Sequence, residues 1–299
     1  MVNLAAVRRA AVREIGRPIG PFRNRIGVGG ASVGPAQHGN FTVTRTSFSW
    51  KGQTMQSTTS GVRDVVLVHG AFADGSCWAK VIPTLVGSGL NVTASQNPMS
   101  SLADDVAAVG RALDMRRGPV LLVAHSLGGV AATEAGNDPR VAGLIYVAAA
   151  APDAGQSFGD WLGGRPPMPV IAQIYPVGQD GFLALTRQGM FEDVAQDLTE
   201  DEQSLLLAAQ KPTAGRCFSD KVGPAAAWRA KPSWYVVAER DRTLPPDAER
   251  ESARRMEATT LTLASGHMPM MSHPREVADF IRQAADTLAG HAPGGVGAA

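Results

Sequence analysis

Val120-Leu-Leu-Val-Ala-His-Ser126-Leu-Gly-Gly-Val130 decides the reading of this chain. Val120 to Ala124 is a short apolar run rich in Val and Leu, the pattern of a strand buried on both faces. After His-Ser-Leu-Gly-Gly comes Val-Ala-Ala-Thr-Glu-Ala, which is good helix material. Strand, sharp turn and helix with a serine at the apex form an elbow that presents a nucleophile. A serine on so tight a turn takes a strained backbone conformation, and bulky residues two positions away would clash with strand or helix. Ala124 and Gly128 occupy those positions. Taken alone, the five residues fit an ordinary strand-to-helix turn equally well, so the rest of the chain has to decide.

Working outward, the same rhythm continues. Upstream, Asp64-Val-Val-Leu-Val68 reads as a buried strand ending in His69-Gly70-Ala71-Phe72. A helix is expected over Trp78 to Val86, a strand over Leu90 to Ala94, and a helix opened by Ser101-Leu-Ala-Asp104 that runs to about Arg117. Downstream, residues 127–136 should be helical and Gly143 to Val147 a strand. The rhythm then stops. Pro152 to about Trp228 holds no convincing strand, but Thr199-Glu-Asp-Glu202 is a capping box opening an amphipathic helix. Such an insertion reads as a helical lid placed after a central strand. The sheet resumes at Ser233 to Ala238, followed by a helix over Pro246 to Met256, a strand over Thr260 to Leu263, and a helix over Pro274 to Leu288. Alternating strands and helices predict an α/β fold with a mostly parallel central sheet flanked by helices.

Sites in such sheets lie at the carboxyl ends of the strands. Three of those ends carry Ser126, Asp241 and His267. Each has an ordinary reading: a serine as turn residue, an aspartate as helix cap, a histidine as loop structure. Together and in this order they fit a catalytic triad. His267 takes the serine proton, while Asp241 holds the imidazole in the needed tautomer and stabilises the imidazolium. Asp153 also follows a strand and is the alternative acid, but Asp241 has the expected place after the penultimate strand. An oxyanion hole needs two backbone N–H groups. Leu127, just after the nucleophile, and Ala71, after the first strand, are the expected donors, with Gly70 leaving room for close approach. His69 and His125 are expected to shape turns, and His273 to start a helix. No convergent metal-ligand set and no phosphate-binding glycine loop is legible, so no cofactor is expected.

His69-Gly-Ala-Phe-Ala-Asp-Gly-Ser-Cys-Trp78, Ala124-His-Ser-Leu-Gly-Gly129, Ala151-Pro-Asp153, Glu239-Arg-Asp241-Arg-Thr-Leu-Pro245 and Gly266-His267-Met-Pro-Met resemble an α/β-hydrolase. The subgroup is similar to bacterial esterase-like proteins and to the plant methylesterase/hydroxynitrile-lyase group. The resemblance covers about Arg63 to Leu288. It implies a serine esterase acting on a small carboxylic ester through an acyl-serine intermediate. Lyase members of the plant group tend to carry Thr at the place of Gly70 and Lys at that of Met268, so both positions here resemble the esterase side. Gly70, Phe72 and Met268 are the expected substrate contacts. The same triad also fits lactone hydrolysis, carbon–carbon lysis or cofactor-free haloperoxidase-like chemistry, and the fold also serves non-enzymatic ligand binders.

Composition bounds these readings. The 299 residues, 44% of them hydrophobic, can fill a sizeable core. Residues 1–54 carry eight basic side chains and one acid, Glu14, which leaves 20 basic and 26 acidic residues downstream, a net of about −6. That balance gives nucleic acid no basic face to bind. The extension over 1–54, rich in Arg, Gly and Pro, reads as a disordered arm, a targeting segment, or sequence upstream of a natural start at Met55; disorder or the later start fits better than targeting. Phe41 to Trp50 is a candidate hairpin. The hydrolase domain is then expected over 55–289, with the lid at about 152–228 and a flexible tail over 290–299. No apolar run reaches the ~20 residues of a membrane span, and the expected compartment is the cytoplasm. Cys77 and Cys217 are expected to be free thiols rather than one bridge. Nothing in the sequence fixes an oligomeric state.

Overall fold

The computed structural model describes residues 62–290. The extension over 1–54, the candidate hairpin over 41–50, a start at Met55 and the tail beyond Gly290 lie outside the described residues. In chain order, β1 (Asp64–Val68) is followed by a 3-10 turn at Gly75–Trp78, α1 (Ile82–Gly87), β2 (Asn91–Ala94) and α2 (Leu102–Asp114). Next come β3 (Val120–Ser126), α3 (Gly128–Ala135) and β4 (Val141–Ala149). The expected helix from Trp78 is thus broken into a tight turn and a short helix that begins beside Pro83, and α2 stops three residues before Arg117. The insert holds α4 (Phe158–Leu162), β5 (Ile174–Val177), β6 (Phe182–Leu185), α5 (Glu200–Ala209) and β7 (Thr213–Ala214). The chain closes with β8 (Ser233–Ala238), α6 (Pro246–Arg255), β9 (Thr259–Leu263), α7 (Pro269–Ser272) and α8 (Pro274–Gly290).

Six strands form one parallel sheet in the order β2-β1-β3-β4-β8-β9. The period of two along a strand explains how so apolar a sheet is covered. Val65, Leu67, Leu121, Val123, Ile145, Val147 and Val236 point to one face, where Val277, Ile281 and Ala284 of α8 meet them. Val66, Val68, Leu122, Leu144, Tyr146 and Val237 point to the other, against Val109 and Leu113 of α2 and Ala132 of α3. Each Val, Leu or Ile buried in this way contributes roughly 1.5–3 kcal/mol of transfer free energy.

The insert corrects one expectation. It is not purely helical: β5, β6 and β7 form a separate three-stranded antiparallel sheet. Pro176 sits inside β5, and a proline ordinarily argues against a strand; β7 has only two residues. The expected capping box is present, with Thr199 accepting the Glu202 N–H and Glu202 accepting the Thr199 N–H. Both cysteines are free and buried. Among the described residues no helix is long and apolar enough to cross a membrane.

Candidate active site

Ser126 ends β3 with φ +54°, left-handed for a non-glycine residue and worth about 1–3 kcal/mol of strain. Close packing imposes that turn. A Cβ on Gly128 would fall 2.4 Å from the His69 carbonyl oxygen, and one on Gly129 2.1 Å from that of Ala150. Opposite the serine, β4 shifts register between Val147 and Ala149, where Ala148 takes φ +42°. The elbow and the bulge beside it thus form one locally strained unit at the centre of the sheet.

The three strand-end residues converge. The Ser126 hydroxyl lies 2.8 Å from Nε2 of His267, and Nδ1 of His267 lies 2.6 Å from Oδ2 of Asp241. The other carboxylate oxygen of Asp241 accepts the backbone N–H groups of Thr243 at 2.6 Å and Leu244 at 2.8 Å, which fixes the carboxylate plane. Nδ1–H therefore donates to Asp241, leaving Nε2 as the bare nitrogen facing the serine. Asp153 is engaged elsewhere, by Arg229 and Arg255, and the Arg229 guanidinium holds its carboxyl down to about 2.

Of the two expected oxyanion donors, Leu127 directly follows the serine and Ala71 follows Gly70. Gly70 lies so close that a Cβ there would fall 2.6 Å from Cβ and 3.1 Å from Oγ of Ser126. His69 orients this loop. Its Nε2 accepts the Asn97 N–H at 3.0 Å, so its proton is on Nδ1, which donates to the Gly70 carbonyl at 2.9 Å. Across the trans peptide that bond turns the Ala71 N–H away from the imidazole. Burial holds the His69 pKa down to about 4, so the ring stays neutral and the tautomer is kept. Among the described residues, neither the Ala71 nor the Leu127 N–H donates to another protein group, which leaves both available.

His125 lies beside His267: its Nε2–H donates to the His267 carbonyl at 2.8 Å, and the two rings sit 4.7 Å apart. Burial pushes its pKa well below the usual histidine range, so it carries no charge beside His267. Phe72, with φ +57°, packs its ring on Phe218 of the insert. The Met268 side chain is buried in the same apolar cluster as Phe72, Met190 and Met270. His273 precedes α8, as expected, and bonds Ser272. Both catalytic residues are buried: Ser126 is 6% exposed and His267 3%.

The sequence profile of the alpha/beta hydrolase family matches residues 65–280. The chain belongs to that family. Relatives of this hydrolase include a probable hydrolase of Phoma sp., 25% identical over 246 residues, spanning 74% of this chain and 97% of that protein. A pyrethroid hydrolase of Sphingobium wenxiniae is 24% identical over 261 residues, spanning 76% of this chain and 89% of that protein. Among solved structures, a pyrethroid hydrolase from Sphingobium faniae superposes with a TM-score of 0.66 at 22% identity, covering 77% of this chain and all of the other. Polyneuridine aldehyde esterase gives 0.67 at 19% identity, covering 75% and 100%.

Sequence reasoning missed one buried polar residue close to Asp241 of this hydrolase. Glu249 of α6 is fully buried, and its Oε2 accepts the Ala238 N–H at 2.9 Å. Its Oε1 has no donor among the described residues, and the carboxyl is close enough to Asp241 to feel its charge. Burial, reinforced by the Asp241 charge, pushes the Glu249 carboxyl well above the usual range. Beside the Asp241 charge, the Glu249 carboxyl therefore favours its protonated form. An acid in the first turn of a helix ordinarily reads as an exposed dipole partner, so nothing in the sequence marked it out.

Proposed function

We propose that this chain is a serine esterase that cleaves small carboxylic esters through an acyl-serine intermediate on Ser126. The observation that carries the reading is the unbroken series from Ser126 through His267 to Asp241, with the Ala71 and Leu127 N–H groups unpaired among the described residues. In acylation, Ser126 Oγ attacks the ester carbonyl while His267 Nε2 takes its proton. The Ala71 and Leu127 N–H groups receive the developing oxyanion. The tetrahedral intermediate collapses, the C–O bond to the alcohol breaks, and His267 gives the proton to the departing alkoxide. Deacylation repeats the sequence with water as nucleophile, and the carboxylic acid leaves.

Two further points favour an ester over other substrates of the fold. Gly70 and Met268 resemble the esterase side of the plant group rather than the lyase side, a relative is named as a pyrethroid hydrolase, and polyneuridine aldehyde esterase shares the fold. Asp241 is the acid in this reading, and Asp153 is a surface ion-pair residue. A fluorophosphonate probe should label the wild-type protein at Ser126 and fail to label Ser126→Ala. Turnover of p-nitrophenyl acetate should disappear with the label; hydrolysis that survives Ser126→Ala undiminished refutes the mechanism.

A further inference from the structure

The insert touches each loop of the site through polar groups, not only through its apolar face. Thr213 of β7 is fully buried, and its Oγ1 accepts the Phe72 N–H at 3.1 Å. That amide is the next one along from the Ala71 N–H. Around it the bonds close into a ring. Lys211 donates to the Asn97 carbonyl at 2.7 Å, and the Ala214 N–H donates to the Met99 carbonyl at 2.8 Å. The Asn97 N–H donates to His69, whose Nδ1–H holds the Gly70 carbonyl. The oxyanion loop is thereby held from the strand side by His69 and from the insert side by Thr213.

A second set of bonds grips the acid and histidine loops. It comes from one π-helical turn, Gly189–Val194, and the residues just after it; such turns are rare and cluster at functional sites. Asp193, itself buried, accepts from Arg242 at 3.0 Å, and its carbonyl accepts the Thr243 hydroxyl at 3.1 Å. Gln196 donates to the Arg240 carbonyl at 2.8 Å. Asp197 accepts the N–H of Gly266, the residue before His267, at 2.6 Å. Gly266 packs so tightly on Gln196 that a Cβ would fall 2.6 Å from the Gln196 amide. Residues 240, 242 and 243 flank Asp241 on both sides, so the insert holds the acid and the base relative to each other.

We infer that the insert braces the catalytic loops, with Thr213 the positioning residue of the oxyanion loop and Asp197 that of the histidine loop. The inference rests on the esterase reading for its kinetic consequence, but its structural content stands apart from it. Loops that protrude from strand ends have few bonds of their own, and a misplacement near 1 Å costs about 100-fold in rate. A brace acts on the transition state whatever ester is bound, so its loss lowers kcat and leaves KM and the ranking of esters alone.

The test uses the full chain and two matched pairs. Thr213→Val removes the acceptor at nearly constant volume, and Thr213→Ser restores it. Asp197→Ala removes the acceptor for Gly266, and Asp197→Asn restores it. The expected result is a fall in kcat of about 10- to 100-fold for Thr213→Val and Asp197→Ala on every ester tried, KM within about twofold, and recovery in the Ser and Asn variants. Amide hydrogen exchange, read in the same proteins, should speed up over residues 70–74 in Thr213→Val and over 264–268 in Asp197→Ala. Exchange that stays at wild-type rates overturns the brace. So does a rise in KM at constant kcat, or a loss the Ser and Asn variants fail to rescue. If exchange responds as expected while wild-type Ser126 takes no fluorophosphonate label, the brace stands and the esterase reading falls.

Discussion

The sheet and the insert are built on opposite principles. The sheet holds its shape by burial: β1 and β3 are buried along their whole length, and both faces are covered by helices. The insert buries apolar side chains as well, Leu185, Met190 and Leu206 among them, but adds polar bonds of long sequence reach to the loops at the strand ends. Thr213 meets Phe72 across 141 residues, Asp197 meets Gly266 across 69, and Asp193 meets Arg242 across 49. A buried strand tolerates changes that keep apolar volume, whereas a hydrogen-bonded brace fails when one acceptor is lost. The sheet should therefore carry stability and the reacting groups, and the insert their alignment and the choice of substrate.

The sharpest way to break this division is at the acid. Asp241→Asn should lower kcat by about 10⁴-fold, the loss seen when a triad acid is made neutral and the imidazole tautomer is wrong. Asp153→Asn, which gives up only half-exposed ion pairs with Arg229 and Arg255, should stay within a few-fold of wild type. Steady-state kinetics on p-nitrophenyl acetate compares the two. The reverse pattern would move the acid from the end of β8 to the start of the insert.

Next in size is Gly70→Ala. The new methyl group would meet Cβ of Ser126 at 2.6 Å, and neither atom can swing away because each is attached to backbone. The oxyanion loop must retreat, and kcat should fall about 100-fold with little change in KM. Comparing this with Thr213→Val separates a loop pushed off the serine from one no longer held against it. A Gly70→Ala enzyme with full activity would show that Ala71 is not a donor.

The apolar side of the insert sharpens the comparison differently. Phe158 and Trp161 share a buried cluster with Leu127 and Leu244, whereas Met190 packs with the sheet and α8. Phe158→Ala and Trp161→Ala should change the kcat/KM ratio between acetate and bulkier esters by about tenfold. Met190→Ala should change stability rather than ranking. An ester panel on the three variants, with melting curves, distinguishes these outcomes; uniform loss across the panel would remove the specificity role from this face.

The same contrast explains what the sequence made legible. Val120 to Ala124 and Asp64 to Val68 announce strands because nearly every residue is apolar, and a buried parallel strand requires that. Ser126, Asp241 and His267 stand out because they end such runs. In the insert the Thr199–Glu202 capping box is legible, but the strands and the bracing residues leave no local pattern to be read. Pro176 masks β5, β7 is two residues long, and Thr213 looks like any loop threonine until Phe72 is beside it. His69 and His125 were recognisable as turn residues, but their partners, the Gly70 carbonyl with the Asn97 amide and the His267 carbonyl, come from the fold.

The smallest effect expected is one of stability, at Glu249. Its carboxyl is neutral in the folded protein because burial and the nearby Asp241 charge disfavour ionisation; Arg250 opposes this and Tyr235 is also close. In the unfolded chain it ionises near pH 4.3. Below that pH both states hold the proton, and the residue's full contribution is present. As pH rises the unfolded state loses its proton while the folded state keeps it, so stability drains away until the raised folded pKa is reached. Gln escapes this loss because it does not ionise, and its amide N–H takes the place of the carboxyl proton as a donor. Glu249→Gln should therefore melt like the wild type near pH 4 and above it at pH 7, with the gap widening steadily between. Melting temperatures of both proteins across pH 4–8 test this. A wild type more stable than the Gln variant at pH 7 would mean that Glu249 is ionised, with its charge held against that of Asp241 inside the sheet's own core.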